Sequence, residues 1–335
     1  MEVQDTWAGY EQLFIGDGAS RAQVRELGTR AAARLQGWAP ELWQEAAGLA
    51  AGADLEPWQV AALNARTELL AVLRPVAAHE CSTSVHLPGR GLAPRTVQTW
   101  DWYDHLDHVK FAWRYEPHPD HVVRAFTEFG VLGKIGLNSA GLGVHFNFLQ
   151  HVNDGEDVGV PVHAVVRRVL DEASTLPEAV AIVQSADVSV SSVLTVVTHH
   201  HGGESHAVAL ELSPAGVAEV GASSDGFVQY TNHFLDPQLA GGEALGRVDP
   251  DTYRRQRELS SRRTLLSHAD PTRRASALDC HAAEGAELCC HPDPAVTDEP
   301  QWRTLAVLSL DLARHRLLIH EGGPCTVSPQ SWTTW

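Results

Sequence analysis

A cysteine begins a run of small hydroxyl residues, Cys81-Ser82-Thr83-Ser84, about a quarter of the way along this 335-residue chain. Residues 81–87 alternate like a strand, and a Pro-Gly-Arg-Gly turn leads to a second strand that ends Trp100-Asp101-Trp102. A free cysteine thiol has a pKa near ~8.5, so it needs a base before it can act as a nucleophile. The first question is therefore which group takes the proton of Cys81.

The chain could supply that base itself. If the peptide bond between Glu80 and Cys81 were cut, a new α-amino group with a pKa of about 7.7–8 would lie beside the thiol. His79, His86 and His105 are near in sequence, but a nucleophile's histidine usually comes from a distant segment. If the α-amino group of Cys81 is the base, residues 1–80 are a propeptide segment, and residues 81–335 are the catalytic domain.

The elements around Cys81 change character along the chain. Apolar residues at three- and four-residue spacing predict helices over residues 20–75, with breaks at Gly37, Pro40, Gly52 and Pro57. After Cys81 the pattern predicts short strands, two helices, more strands, a polar helix and a terminal hairpin. Strands are predicted over 81–87, 96–102, 129–137, 142–149, 193–199, 206–212, 216–221, 304–311 and 316–321, and helices over 162–172, 176–185 and 250–268.

This order predicts an α+β fold with two packed sheets and helices on both outer faces, in which the strand at Cys81 is central. The formal net charge of −17 disfavours binding to nucleic acid and to an anionic membrane surface. The first residues lack a secretory signal pattern, and no apolar run approaches 18 residues. We therefore expect a soluble, cytoplasmic protein, in which the five cysteines are thiols rather than disulfides.

Four stretches in order carry a resemblance to a known family. They are Cys81-Ser82-Thr83-Ser84, Gln98-Thr99-Trp100-Asp101-Trp102, Gly136-Leu137-Asn138-Ser139-Ala140-Gly141-Leu142 and Tyr230-Thr231-Asn232-His233-Phe234-Leu235, with a weaker fifth at Leu288-Cys289-Cys290-His291-Pro292. The chain resembles the autoproteolytic N-terminal-nucleophile (Ntn) family of penicillin acyltransferase, over residues 81 to about 323. The resemblance implies a four-layer αββα Ntn-hydrolase sandwich and a processed N-terminal helical segment.

The resemblance also implies roles for individual residues. Cys81 is the self-cleaving residue and then the nucleophile, and Asp101 orients the new amino terminus or the substrate amine. Asn232 matches the oxyanion-hole asparagine, and Asn147 matches an active-site asparagine of the related bile-salt and penicillin V amidases. Their active-site arginine matches Arg262, although Arg263 fits as well. We expect Trp100, Trp102 and His233 to contact the substrate.

The sequence departs from the family pattern at two positions. Glu80 stands where the residue before the nucleophile is often glycine, and this bulkier residue affects the rate of self-processing. Thr99 replaces a frequent asparagine in the tryptophan-rich strand, which affects the details of substrate contact. Asn138 has the features of a turn residue, because Gly141 completes a turn after it.

No metal site is expected from the sequence. Adjacent histidines on a strand point to opposite faces, so His199-His200-His201 indicates a solvated hairpin tip. Cys280-His281 with Cys289-Cys290-His291 has suitable residue types for zinc but lacks the Cys-x₂-Cys spacing of ordinary structural sites. A scaffold stabilised by zinc at the C-terminal cysteines remains a third alternative, beside an enzyme and a catalytically silent relative that binds a ligand.

The function predicted is an amidohydrolase or acyltransferase that forms a thioester on Cys81, without a cofactor. Its substrate would be a small-molecule amide or an acyl-CoA-like compound, and the cleaved segments would stay associated. The alternatives are a hydrolase of small N-acyl amines or amino-acid amides, and an unprocessed, catalytically silent relative that binds a ligand. The sequence leaves open hydrolysis against acyl transfer, and also a homo-oligomer.

Overall fold

The computed structural model describes residues 1–16, 18–73, 81–155, 157–200, 202–296 and 301–335. Glu80 lies outside these residues, so only the Cys81 side of the expected cut is described. Within the described ranges, no helix combines the length and the apolar character that crossing a membrane requires.

A helical segment precedes the first strand. Its described helices are α1 (Glu2–Gly16), α2 (Arg21–Trp38), α3 (Pro40–Gly52), α4 (Pro57–Asn64) and α5 (Arg66–Leu73). Ser20 and Gln23 form a capping box at the start of α2, and Pro40 and Pro57 occupy the first positions of α3 and α4. The helices predicted over residues 20–75 are confirmed where the chain is described, and α1 is an additional helix that was not predicted.

The remainder of the chain forms two antiparallel sheets. The strands are β1 (Cys81–His86), β2 (Arg95–Tyr103), β3 (Lys110–His118), β4 (His121–Glu128), β5 (Ile135–Asn138), β6 (Leu142–Phe148), β7 (Ser192–His199), β8 (Ser205–Ser213), β9 (Gly216–Gly221), β10 (Phe227–Tyr230), β11 (Trp302–Asp311), β12 (Arg316–Glu321) and β13 (Trp332–Thr334). One sheet has the order β10-β1-β2-β11-β12-β13, and the other has the order β3-β4-β5-β6-β7-β8-β9. Strand β1 is thus an inner strand, one position from the edge and not at the centre.

The two sheets pack face to face and helices cover them. The later helices are α6 (Val162–Glu172), α7 (Leu176–Gln184), α8 (Leu245–Val248), α9 (Asp251–Ser261), α10 (Arg263–Leu266) and α11 (Pro271–Ser276). Strand β1 contacts β6 and strand β12 contacts β4 and β5, which joins the sheets. Helices α6 and α7 pack on the seven-stranded sheet, and α9, α10 and α11 pack on the six-stranded sheet. The predicted α+β, four-layer αββα architecture is confirmed.

One prediction about local structure was wrong, and four strands were not predicted. The strand expected over residues 129–137 is shorter, because Gly130 has a φ of +87° in a turn and regular pairing begins only at Ile135. The hairpin of β3 and β4 was not predicted, nor were the short strands β10 and β13. Alternation along β3 is obscured because most of its residues are partly exposed on both faces.

A buried network of charges joins the helical segment to the sheets. Glu128, at the end of β4, accepts from Arg66 Nη2 at 2.7 Å, and it also binds Lys134 Nζ and Tyr10 Oη. Arg66 belongs to α5 and Tyr10 to α1, and all four side chains are at most 2% exposed. Burial raises the pKa of Glu128, but the Arg66 guanidinium and the Lys134 ammonium outweigh burial and hold that pKa below its usual value. The carboxylate therefore stays ionised between its two cations.

Replacing Glu128 by glutamine is expected to lower the free energy of unfolding by about 3–5 kcal/mol, because two buried cations lose their compensating charge. Urea denaturation followed by circular dichroism measures this. The matched control is Glu172→Gln, whose partner Arg168 is near the surface, with a Nε–Oε1 distance of 2.7 Å. That change should cost less than about 1 kcal/mol. Equal effects of the two substitutions would contradict the importance of the network.

Candidate active site

Strands β1 and β2 bring Cys81 beside the tryptophan-rich motif. Cys81 is the first residue of β1 and pairs with Trp100 of β2, so their side chains lie on the same face of the sheet. That face turns towards the seven-stranded sheet, where Trp100 packs edge-on against Phe126 at a centroid distance of 5.2 Å. Cys81 is buried, with 6% of its surface exposed.

A narrow pocket adjoins Cys81. Its walls include aromatic rings from Trp100, Trp102, Phe146 and Phe148, and polar groups from Arg66, Thr67, Asp101 and Lys134. The pocket leaves a cavity volume of about 20 Å³ open to water. About 10–15 Å³, measured in the same way, suffices for one water molecule. In this conformation of the chain the pocket is too small for an acyl substrate. Two of its wall residues, Arg66 and Thr67, come from α5 in the helical segment.

Three side chains from different elements hold the backbone of Cys81. The Cys81 N–H donates to Asn232 Oδ1 at 3.0 Å, and the Cys81 carbonyl accepts from Asn147 Nδ2 at 3.0 Å and from Arg255 Nη1 at 3.2 Å. Asn147 lies on β6 and accepts at Oδ1 from the Thr83 hydroxyl at 2.6 Å. The structure therefore brings together Cys81, Asn147 and Asn232, as the sequence led us to expect.

The partners of Asn232 fix the orientation of its amide. Its Oδ1 accepts from both Cys81 N–H and Arg255 Nη1, the latter at 3.0 Å. Its Nδ2 donates to the Phe148 carbonyl at 2.9 Å, and its backbone N–H donates to Thr252 Oγ1 at 2.9 Å. The oxygen, and not the nitrogen, of Asn232 therefore faces the backbone nitrogen of Cys81. An oxyanion-binding role would use the second Nδ2 hydrogen.

The arginine that binds the backbone of Cys81 is Arg255, and neither Arg262 nor Arg263, the two arginines considered from the sequence, makes this contact. Arg255 lies on α9, is fully buried, and forms an ion pair with Asp251 at 3.3 Å. Arg262 comes after the end of α9, where Nε binds Glu258 at 3.1 Å and Nη1 binds the carbonyls of residues 277 and 279. Arg263 binds Asp225 and stacks over the Phe227 ring. Thr252, Arg255 and Leu259 are the buried residues of α9, and this helical spacing is the signal that could have identified Arg255.

The electrostatic surroundings disfavour a free thiolate at Cys81. Burial, with the nearby Asp101 carboxyl, raises the pKa of the thiol to about 12, against the lowering effect of Lys134 and Arg255. Burial also raises the pKa of Asp101 to about 7, although Thr304 and Arg255 favour its charged form. The thiol is therefore protonated near neutral pH and needs a base.

Lys134 is a pocket residue that the sequence analysis did not identify. Burial, together with the Arg66 guanidinium, lowers its pKa to about 7 in spite of Glu128, and its ammonium lies 3.7 Å from the Trp100 ring centroid. The available signal was its rarity, because Lys110 and Lys134 are the two lysines of the sequence. A lysine within the apolar run 131–137 is costly to bury without a partner.

The other predicted residues have clear positions. Trp102 lines the pocket with Trp100, whereas His233 lies behind Asn232, with Nδ1 within 3.1 Å of Thr231 Oγ1 and Thr252 Oγ1. Burial lowers the pKa of His233 to about 4, so its ring is neutral. Asn138 holds the β5–β6 turn as expected, because its Oδ1 accepts from the N–H groups of Ala140 and Leu142.

Comparison with known proteins relates the chain to one family. The family model described as acyl-coenzyme A:6-aminopenicillanic acid acyltransferase matches residues 96–281, which includes Asp101, Asn147, Asn232 and Arg255 and begins after Cys81. The acyl-coenzyme A:6-aminopenicillanic-acid acyltransferase 40 kDa form of Emericella nidulans is 29% identical over 246 residues. That alignment covers 72% of this chain and 64% of the relative, so the match spans less than two thirds of the relative's length.

Solved structures were also found, with low sequence identity. The N-acylethanolamine-hydrolyzing acid amidase ortholog of Caenorhabditis elegans has a TM-score of 0.46 at 12% identity, covering 70% of this chain and 96% of that one. Penicillin V acylase from Agrobacterium tumefaciens has a TM-score of 0.45 at 14% identity, covering 72% of this chain and 83% of that one.

Replacing Arg255 by leucine is expected to slow alkylation of Cys81 at pH 8 by about three- to tenfold, because loss of a nearby cation raises the thiol pKa further. Peptide mass mapping of Cys81 after timed exposure to iodoacetamide gives the rate. Arg262→Leu is the matched control. It should change the rate less than about twofold, because the Arg262 guanidinium binds Glu258 and two backbone carbonyls and does not contact Cys81. Circular dichroism checks that both variants are folded. Arg255→Lys keeps the charge, so its alkylation rate should lie between the rates of Arg255→Leu and the native chain.

Proposed function

We propose, from the premise that this chain belongs to the acyl-coenzyme A:6-aminopenicillanic acid acyltransferase family, that it is an acyl-transferring or amide-hydrolysing enzyme whose nucleophile is Cys81. The observation that supports this most directly is the set of hydrogen bonds to the backbone of Cys81. Its backbone nitrogen is bound by Asn232, its carbonyl by Asn147 and Arg255, and its thiol adjoins a pocket with aromatic walls. These three side chains come from distant elements and meet at the residue whose thiol adjoins the pocket.

The first step of the proposal is self-cleavage between Glu80 and Cys81. The Cys81 sulfur attacks the carbonyl carbon of Glu80, the bond to the Cys81 nitrogen breaks, and that nitrogen gains a proton. Water then opens the resulting thioester, which gives a carboxylate on Glu80, a free thiol and a free α-amine. Lys134 is the group suited to take the thiol proton in the uncut chain, because burial lowers the pKa of its amine to about 7.

The catalytic cycle would use the new α-amine as the base. Asn232 Oδ1, which now accepts from the Cys81 N–H at 3.0 Å, would hold that amine beside the thiol. The amine takes the thiol proton as sulfur attacks the acyl carbonyl, and the leaving group receives the proton when the thioester forms. Water or an amine then attacks the thioester and regenerates the thiol. A donor to the developing oxyanion, the role proposed for the second Nδ2 hydrogen of Asn232, contributes about 2.7–4 kcal/mol in other enzymes.

The pocket walls favour an apolar acyl group. Trp100, Trp102, Phe146 and Phe148 offer aromatic surface beside the thiol, and the cations Arg66 and Lys134 already share Glu128. Because Arg66 and Thr67 belong to the segment before the cut, freeing the chain end at residue 80 would let α5 move and enlarge the pocket. The segment would remain attached through α1, whose Tyr10 hydroxyl donates to Glu128.

The intact mass of freshly purified protein tests the cleavage. We expect two pieces of 80 and 255 residues, with Cys81 at the new terminus and both pieces in one gel-filtration peak. Cys81→Ala should give a single uncut chain, whereas the control Cys280→Ala, which changes another buried cysteine, should be cut normally. A single chain from the native sequence, or a cut that persists in Cys81→Ala, would reject the self-cleavage proposal.

Activity is measured on the cleaved protein with acyl p-nitroanilides of increasing chain length and with acyl-CoA, with and without an amine acceptor. Release of nitroaniline without an amine identifies a hydrolase, and amine-dependent release of CoA identifies a transferase. An absence of both reactions, together with no thioester on Cys81 by mass spectrometry, would leave the silent ligand-binding relative.

The pH dependence of kcat/KM should report the α-amine. General-base catalysis requires the unprotonated amine, so the rate should rise with pH through an apparent pKa of about 7.7–8 and then level off. Deprotonation of Asp101, whose pKa burial raises to about 7, adds to the same rising limb. Melting temperatures over the same pH range separate catalysis from unfolding. A rate that is constant or falls from pH 6 to 9 would contradict an amine base.

A further inference from the structure

A second group of potential metal-binding side chains lies outside the Cys81 pocket, in the segment before β11 and in the segment after β12. His281, Cys289, His291 and Cys325 each offer a ligand atom, and these four atoms all lie within 4.8 Å of one another. This group contains none of the pocket residues around Cys81. We propose that these four residues bind one zinc ion, which holds the C-terminal segment to the loop before β11.

The distances agree with tetrahedral zinc. Nε2 of His291 lies 3.3 Å from Cys289 Sγ and 3.4 Å from Cys325 Sγ. With Zn–S near 2.3 Å and Zn–N near 2.05 Å, ligand sulfur and nitrogen atoms at a tetrahedral angle are about 3.6 Å apart. A ring nitrogen has only one lone pair or one hydrogen, so it cannot complete hydrogen bonds with two thiols at once. A shared cation accounts for both contacts.

The second nitrogen of His281 has the partner that a metal-bound histidine usually has. Its Nδ1 lies 3.3 Å from Glu284 Oε2 and 3.8 Å from Asp279 Oδ1, which leaves Nε2 for the metal. A carboxylate on the far nitrogen fixes the ring and makes the ligating nitrogen more basic. The His281 and His291 rings are stacked with centroids 5.1 Å apart, so both point into the same region.

The backbone around the cluster is built for close approach. Cys289 N–H donates to the Cys280 carbonyl at 2.9 Å, which brings the loop back beside His281. A methyl group on Gly323 would lie 2.7 Å from Cys289 Sγ and 3.7 Å from Cys325 Sγ, so the lack of a side chain there leaves the space between the sulfurs clear. Cys325 belongs to a short 3₁₀ helix, Pro324–Thr326, directly after β12.

Zinc is the ion favoured by two thiolates and two imidazoles. All four positions would be taken by protein, so the site is closed and structural rather than catalytic. The expectation of no metal site rested on the spacing within residues 280–291 and on the family pattern around Cys290-His291, and the residues named for it did not include Cys325. The fourth ligand comes from a segment 34 residues after His291, and only the fold brings it near.

Metal analysis of untagged protein, purified under reducing conditions and dialysed against metal-free buffer, tests the proposal. We expect about one zinc per chain in the native protein and in two controls, Cys81→Ser and His200→Ala, and less than about 0.2 in Cys325→Ser and in His291→Asn. The controls remove the other thiol site and a member of the histidine run. Zinc below about 0.2 per chain in the native protein, or full zinc in Cys325→Ser, overturns the proposal.

A second measurement does not depend on how well the variants fold. Exchange of zinc for Co²⁺ in the native protein should give the strong visible bands of a tetrahedral site and a thiolate-to-cobalt charge-transfer band, and chelation should lower the melting temperature by several degrees. Octahedral, weakly coloured cobalt would contradict the ligand set. A disulfide between Cys289 and Cys325 in the reduced-purified protein, seen by peptide mass mapping, would overturn it as well.

Discussion

The arrangement of the site depends on the hydrogen bonds that hold the backbone of Cys81, the first residue of strand β1. Regular pairing with β2 begins at Cys81, so the polar groups of its peptide are held by side chains as well as by the ladder. Asn147 comes from the opposite sheet, Asn232 from the segment after β10, and Arg255 from the helix that covers the outer face. Three layers of the sandwich therefore meet at the backbone of one residue. A shift of either sheet by one register position would separate them.

Electrostatic balance follows from that dry location. Burial disfavours the thiolate of Cys81 and the carboxylate of Asp101, and it lowers the pKa of Lys134. Each group is thereby held in its neutral form more readily than it would be in water. Glu128 is the exception, because two cations keep it ionised. Loss of the thiol proton while the sulfur bonds to a carbonyl carbon would then be less costly than creation of a free, buried thiolate.

The sequence was sufficient for features that depend on local pattern. The helical segment, most strands, the two-sheet architecture and the positions of Cys81, Asn147 and Asn232 at one site followed from periodicity, turn residues and family motifs. Features that depend on the phase of a helix or on distant segments did not follow. Arg255 and Arg262 differ by seven residues, about two turns, yet only Arg255 lies before the helix end and faces β1. Lys134 and Cys325 acquire their neighbours only when the sheets form.

The origin of the pocket wall has a consequence for how substrate preference could diversify. Arg66 and Thr67 border the pocket but belong to the segment that precedes Cys81 in the chain. Under the proposed cleavage they would sit on a separate polypeptide that touches the substrate without being joined to the nucleophile. One part of the pocket wall would then be encoded in a different piece from the nucleophile and the aromatic wall. Variation in one helix of the smaller piece could retune the preferred acyl group while the reacting residues stay unchanged.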